Sequence, residues 1–359
     1  MLVYLAIIFT VFLLSFSLNS QNSEAMLLKY NGKINDYKLK IFLIAVILIF
    51  FAGVRYNVGA DYTQYASNFK AYCNQALSLN GEPGIRIISR IASKIYNESS
   101  AMFFCMSLIT VGLCVFTIAK NSPYFIISIL LYIFLGCWHE SFNSVRQSAA
   151  AAILFFGHKY IKKRDFKKWL LFCFIGFLFH TSAIVFIPIY FLPQNKKINL
   201  KTVSIFIIIG FFAAMFYDKA WDFIGFIQNK KFVIDLYSIN SISIFRILVA
   251  WVPILFYMIN FKNNEIINND KKDFNFYAFM SLLSATVILA SRNSTYLGRL
   301  VIYLDIYNVL FWAYMLNQFS IKKINTRIWT IIIMTCYFLY YLNEVTGPYL
   351  IHYMWIFGR

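Results

Sequence analysis

Acidic residues are scarce in this chain: 15 Asp and Glu stand against 33 Lys and Arg in 359 residues, and charged residues together make up only 13%. That is roughly half the ~25% of a soluble globular domain, too little polar surface for a soluble enzyme. Histidine is rarer still: His139, His158, His180 and His352 are well separated and form no H-x-x-x-H pair. The six cysteines contain no C-x-x-C, and only Cys73 falls in a long loop. No dithiol redox motif, thiolate metal site or secreted disulfide scaffold is indicated, and no metal or other cofactor is expected. The apolar fraction of 60% excludes a disordered chain.

That fraction amounts to about 215 residues. A membrane span takes ~20 predominantly apolar residues, so the supply suffices for ten or eleven spans and little else. The runs read as Leu2–Leu18, Leu39–Val54, Ala101–Ala119, Pro123–Trp138, Asn143–Tyr160, Trp169–Leu192, Thr202–Tyr217, Ile242–Phe261, Phe274–Ala290, Leu297–Phe319 and Ile328–Leu342. The first has neither a basic leader nor a small-residue cleavage site and reads as a retained helix. No internal repeat or separate soluble domain is evident. The expected fold is all-α, a polytopic membrane bundle of about 10–12 helices over residues 1–359 as one domain.

A formal net charge of +18 would ordinarily raise nucleic acid as a partner. Here the bases sit in short patches between apolar runs, which is loop charge on a membrane protein, and no nucleic acid is expected. Placing Lys29–Lys40, Lys159–Lys168, Lys196–Lys201, Lys262–Lys272 and Lys322–Arg327 inside puts the N-terminus, Arg55–Ser100, His139–Glu140, Asp218–Ser241, Arg292–Gly298 and the C-terminal tail outside. Trp169–Leu192 then has inside-type charge at both ends, so it is read as a run that enters the membrane and returns near His180. The two bases segregate on this topology: the inside holds 18 Lys and 2 Arg, the outside 5 Lys and 8 Arg. Lysine is a hydrated point charge, whereas arginine offers a planar fork that grips phosphate. The outer arginines therefore point to an anionic ligand, with Arg86, Arg90 and Arg359 set aside as headgroup contacts.

Several segments carry possible chemistry. Arg55-Tyr-Asn-Val-Gly-Ala-Asp61-Tyr62-Thr-Gln-Tyr65 places a cation, a flexible turn and a carboxylate beside Tyr62 and Tyr65, whose spacing lets them share a helical face. Such tyrosines suit a sugar; the alternative is an interfacial aromatic belt with an Arg55–Asp61 ion pair. After Glu82-Pro-Gly, residues 85–97 form an amphipathic pattern, with Ile87, Ile88, Ile91 and Ile95 opposite Arg86, Arg90 and Lys94, as for a helix lying in the interface. If residues 139–147 are helical, Glu140, Asn143 and Gln147 share a face with Arg146 beside them. The following Ala149–Ala152 would let another helix approach closely. Ionisable groups inside a span are costly, which makes a functional or paired role the default. His180, alone in an apolar run, is either a packing residue or a proton acceptor of the type that titrates nearest neutral pH. Arg292, Tyr296, Arg299 and Tyr303 follow the spacing of one helix face, Asp305 falls opposite, and Arg246 opens another span.

Taken in order, Arg55…Val-Gly-Ala-Asp-Tyr…Tyr65, Glu82-Pro-Gly, Asn143-Ser-Val-Arg146-Gln, the basic Lys159–Lys168 run, Phe179-His180-Thr-Ser-Ala…Pro188 and Arg299…Tyr303 resemble the EpsG-type branch of the Wzy polysaccharide polymerases. The resemblance runs from about Leu2 to Asn317; the family's usual Gly-Thr-Asp-Tyr is Gly-Ala-Asp-Tyr here. It implies a GT-C-type glycosyltransferase of the bacterial inner membrane, active at the periplasmic face, in O-antigen or capsule assembly. Such enzymes transfer a growing glycan from undecaprenyl diphosphate onto a lipid-linked oligosaccharide repeat unit. The implied partners are that lipid-linked oligosaccharide as donor and acceptor, membrane lipid and a chain-length regulator protein. On this resemblance Arg146 and Arg299 bind the diphosphate with Arg55, Arg246 and Arg292 in support. Tyr62, Tyr65 and Tyr303 contact glycan or carrier. His180 is the first choice of base, with Asp61 and Glu140 as reserves. A flippase of the same pathway is the alternative, although about 12 regular spans and few long outer loops would then be expected, and Arg55–Ser100 is the most polar outer segment.

Overall fold

A computed structural model describes residues 1–16, 31–194, 196–227, 242–261, 271–321, 325–347, 350 and 352–358. The end of the first apolar run, Lys29, much of the Asp218–Ser241 loop, Lys262, Lys322, Lys323, Arg359 and the side chain of Tyr296 lie outside the described residues. As far as it is described, each of the eleven apolar runs is mainly helical, and no strand occurs among the described residues. The protein is an all-α, multi-pass membrane protein. Among the described residues, six helices are both long and apolar enough to cross a membrane, or seven if the bent pair Phe125–Phe134 and Cys137–Asn143 is one span. Outside that set fall the 15-residue α1 (Leu2–Phe16) and the charged-ended α2 (Asn31–Gly53) and α8 (Val145–Lys162).

The chain divides into two compact units, one of Met1–Phe191 with Trp312–Arg359 and one of Leu192–Phe311. In the first, α2 lies against α5 (Ser99–Asn121) because Gly53 admits it: an added Cβ would stand 2.6 Å from the Phe104 ring and 2.9 Å from its Cα. Ser107 donates to Ile49 O at 3.1 Å across the same seam. Ala149–Ala152 of α8 are all buried, and α5 and α9 (Phe166–Phe179) both pack on α8. Gly157 brings α8 onto Phe172 of α9, where a Cβ would meet the side chain at 2.7 Å. Small residues bring membrane helices close in just this way.

Two breaks shape the polar end of this unit. α6 (Phe125–Phe134) and α7 (Cys137–Asn143) bend by 40° where Gly136 takes φ +83°, a region open to glycine. At Ser144 (φ −91°, ψ 58°) α7 stops and α8 begins, so the single helix expected over residues 139–147 does not form. Glu140, Asn143 and Gln147 consequently share no continuous helical face; Glu140 belongs to α7 and Gln147 to α8.

The run around His180 does return. α9 ends at Phe179, His180 is extended (φ −154°, ψ 128°), and a 3-10 segment from Thr181 to Phe191 comes back along it. Trp169 Nε1 donates to Ile187 O at 3.2 Å, Arg164 Nη1 to Tyr190 O at 2.9 Å, and the Phe166 and Tyr190 rings meet at 4.9 Å. The returning 3-10 segment of this hairpin is rich in β-branched residues, which favour α-helix weakly, and Pro188 has no N–H to give one. Fourteen residues of α-helix span ~21 Å and eleven of 3-10 helix ~22 Å, both short of a ~30 Å hydrocarbon layer.

In the same unit, α3 (Tyr62–Asn74) precedes α4 (Pro83–Ile95). Exposed Ile87, Ile91 and Ile95 give α4 an apolar stripe, while Ile85, Ser89 and Ala92 are its buried face. Arg86 and Arg90 are not spread toward headgroups. Arg86 donates to Ala76 O, and Arg90 to Cys73 O at 2.9 Å and Gln75 O at 2.5 Å, closing the end of α3 onto α4.

In the second unit, α10 (Leu200–Ile227) packs on the Lys271–Ala290 helix where Gly210 abuts Leu289 and Thr286 O, each 3.1 Å from an added Cβ. Ile244–Phe261 packs on that helix as well. The chain leaves it through Ser291–Ser294 before the short helix Thr295–Gly298, with Leu297 N donating to Ser294 Oγ at 3.2 Å. Arg292 therefore sits in a turn, and Arg292, Tyr296, Arg299 and Tyr303 do not form one helix face. Serine oxygens that cap a new helix start account for the break.

The hairpin makes a topological prediction. With the native cysteines replaced, Phe166→Cys and Phe191→Cys are expected to react with an impermeant thiol reagent from the same side of the membrane. Labelling from opposite sides would mean a single span.

Candidate functional site

Four sequence segments far apart in the chain meet in the first unit. The Val-Gly-Ala-Asp turn docks on the end of α7: Gly59 has φ +106°, an added Cβ would stand 2.5 Å from Phe142 O, and Ala60 N donates to Asn143 Oδ1 at 2.7 Å. Only glycine fits that approach and that φ. Gly84, at the start of α4, presses on the end of α9, where a Cβ would lie 2.8 Å from the Phe179 ring and 2.9 Å from Leu178 O. Pro83 begins α4 in the position where its missing N–H costs nothing. Beneath them Tyr62, Tyr65, Phe69, Ile85, Met102, Phe103, Met106, Val145 and Ala149 form one buried cluster, with Phe179 packed against it.

On this floor stands Glu82, 7% exposed and left-handed at φ 50°, ψ 70°. Its Oε2 accepts from Arg146 Nη1; its Oε1 accepts from His180 Nδ1 at 2.5 Å and from Thr181 N at 3.3 Å. Arg146 Nε donates to Tyr65 Oη at 3.3 Å, with the guanidinium 5.6 Å from that ring. A left-handed non-glycine residue costs ~1–2 kcal/mol, and the carboxylate's bonds hold it there. Burial pushes the Glu82 carboxyl up, but the His180 hydrogen bond, the Arg146 and His180 charges and the Thr181 amide outweigh it and hold it below the ordinary carboxylate range. Glu82 is therefore an anion at neutral pH, sharing its charge with a guanidinium and an imidazole whose side chains are 34% and 27% exposed.

Of the predicted site residues, Tyr65, Arg146 and His180 are brought together here. Tyr62 is not presented to a sugar: it is buried and stacked on Phe103, centroids 4.6 Å apart at 16°. Arg55 is not a ligand-facing cation. It is 1% exposed, sits 4.6 Å from the Phe103 ring and 5.0 Å from the Phe142 ring, and donates to Ala52 O and, at 3.4 Å, to Phe142 O. The C-terminal tail covers it, with Tyr56 N donating to Met354 O at 2.9 Å and Ile356 N to Val54 O at 3.0 Å. No Arg55–Asp61 ion pair occurs among the described residues; half-buried Asp61 opens α3. Arg246, Arg292, Arg299 and Tyr303 belong to the second unit. There Arg292 and Arg299 are exposed, Tyr303 is buried, and Arg246 acts electrostatically on Asp305, which accepts from Ser284 Oγ and, at 3.3 Å, from Asn308 Nδ2. Asp305 thus supports helix packing. Among the described residues no His/Cys/Asp/Glu group is arranged to hold a metal ion.

Glu82 is the residue the sequence reading passed over. Its signal was a carboxylate beside Pro-Gly in a chain with only 15 acidic residues.

The fold and this site define a polytopic helical membrane protein with a buried carboxylate that joins a guanidinium to an imidazole within its first unit. The EpsG family model matches residues 38–355, and the chain belongs to the EpsG family. That match takes in all four converging segments. No curated protein and no solved structure matches the chain.

The Glu82 bonds set the site's response to pH. A carboxyl held below its unfolded value of ~4.3 contributes stability that is fully present above that value and is lost as pH falls through the lower folded-state value. Wild-type melting temperature in detergent is expected to fall between about pH 5 and pH 2, and the drop to shrink in Glu82→Gln. Glu82→Ala is expected to cost ~1–3 kcal/mol at neutral pH, less than a fully buried pair because Arg146 and His180 are partly solvated. Identical acid profiles for wild type and Glu82→Gln would contradict the assignment.

Proposed function

We propose that this protein is a polysaccharide polymerase of the bacterial inner membrane that transfers a growing glycan from undecaprenyl diphosphate onto a lipid-linked oligosaccharide repeat unit at the periplasmic face. The observation that carries the reading is the joining of Arg146 and His180 through Glu82, in a member of the EpsG family. An acceptor hydroxyl attacks the anomeric carbon, its proton passes to His180, and the bond to the diphosphate breaks with the electron pair leaving on phosphate oxygen. Arg146 offers fixed positive charge where that negative charge develops. Its Nη2 end makes no hydrogen bond among the described residues and is open to a phosphate. The exposed isoleucine stripe on α4 supports a lipid-linked substrate, since it places apolar surface on the helix that Glu82 heads.

The proposed sidedness rests on charge. The hairpin carries its lysines at its open end, so His180 at the tip reaches ~21 Å toward the outer leaflet. The pairing of residues 54–56 with 354–356 agrees with placing Arg55 and the C-terminal tail on one side.

In a membrane assay with lipid-linked repeat units, His180→Ala is expected to lower polymerisation ~10²–10⁴-fold. Arg146→Lys, which keeps the charge and loses the fork, is expected to shorten the glycan products. Cells lacking the gene are expected to carry a single repeat unit on the lipid core. Absence of any exported unit would indicate a flippase, and wild-type polymers from His180→Ala would remove the base.

A further inference from the structure

We propose that Glu82 is a positioning residue: it accepts a hydrogen bond from the Nδ1–H of His180 and so leaves Nε2 as the basic nitrogen of the transfer step. This rests on the reading of His180 as the base. The geometry carries it from three directions. Glu82 cannot drift, because Pro83 starts α4 directly after it and Gly84 is flush against Phe179 and the Leu178 carbonyl. Its oxygens are also committed: Arg146 and the Thr181 amide are donors with no accepting alternative. Finally, the imidazole springs from a fixed backbone, with His180 N donating to Gly176 O at 2.9 Å and His180 O accepting from Ala183 N at 3.1 Å. An ionised Glu82 facing Nδ1 at 2.5 Å can only accept, so Nδ1 carries the proton. In a histidine the bond made by one nitrogen decides the state of the other.

In the transfer step the acceptor O–H bond breaks as oxygen bonds to the anomeric carbon, and the proton goes to Nε2. The imidazolium so formed lies against the Glu82 charge, as in hydrolytic triads where a buried carboxylate orients the base without itself taking the proton. Arg146 stays anchored through Tyr65 while Glu82 serves both partners.

Glutamine at this position makes a specific error. With its oxygen kept on Arg146, its NH₂ faces Nδ1, which must then accept, and the proton moves to Nε2. That orientation gives up the 3.3 Å bond from the Thr181 amide, a smaller loss than the reverse one, which sets NH₂ against the charged guanidinium.

The test is ¹⁵N NMR of histidine-labelled protein in nanodiscs at about pH 8, with His180→Ala identifying the His180 signals. Wild type is expected to show a protonated Nδ1 and a bare Nε2, and Glu82→Gln the inverse. In turnover, Glu82→Gln is expected to lose ~100-fold in kcat with acceptor KM within ~3-fold, and to cause no further loss in a His180→Ala background. Wild-type protein protonated at Nε2, or Glu82→Gln with wild-type kcat while His180→Ala is inactive, overturns the positioning role alone. An active His180→Ala overturns the base reading instead. Should Glu82→Gln fail to fold, the wild-type spectrum decides.

Discussion

Glu82 gives one carboxylate oxygen to the Arg146 guanidinium and the other to His180 and the Thr181 amide, and the polar contacts of this part of the first unit are arranged around those bonds. Taking a carboxylate out of water costs several kcal/mol unless donors replace the lost hydration. Here they come from α8 and from the tip of the hairpin, while the carboxylate itself stands at the head of α4. Three elements remote in sequence are thereby held to one point. The left-handed Glu82 backbone is the conformational strain that accompanies this arrangement.

Close backbone approach makes the point reachable. Gly84 lets α4 touch Phe179, Gly59 lets the preceding loop touch α7, and Gly53 and Gly157 draw α5 and α9 onto their neighbours. None of these glycines carries chemistry, yet each determines how near a functional side chain can come. The hairpin adds the remaining condition. A run that crossed the membrane straight through would not turn at His180, and the imidazole would lie within a helix.

Much of this was legible in the sequence. Apolar run lengths gave the helices, because a hydrocarbon layer leaves few other folds. Lysines at both ends of Trp169–Leu192 gave the return at His180. The ordered motifs named Tyr65, Arg146 and His180. What the sequence hid was direction. Arg55 sits at a helix exit as an outer cation would, but two aromatic rings and two carbonyls turn it inward. Tyr62 and Tyr65 do lie three apart on α3, yet one stacks into the core and the other reaches the guanidinium. Spacing cannot foresee a stop at Ser144 or the turn at Ser291–Ser294, because both depend on local backbone and side-chain bonds rather than on apolar period. Glu82-Pro-Gly was visible as a motif, but the role of Glu82 was hidden for a related reason: it exists only once Arg146 and His180 are beside it.

The central claim is that the place where Glu82 joins Arg146 to His180 is where a lipid-linked diphosphate gives up its glycan. An experimental density map of the protein with a bound lipid-linked oligosaccharide tests it most directly. Diphosphate oxygens are expected within ~3 Å of the Arg146 guanidinium, with a sugar hydroxyl against His180 Nε2. A diphosphate bound by other cations, with Arg146 still closed on Glu82 and no sugar near His180, would contradict it.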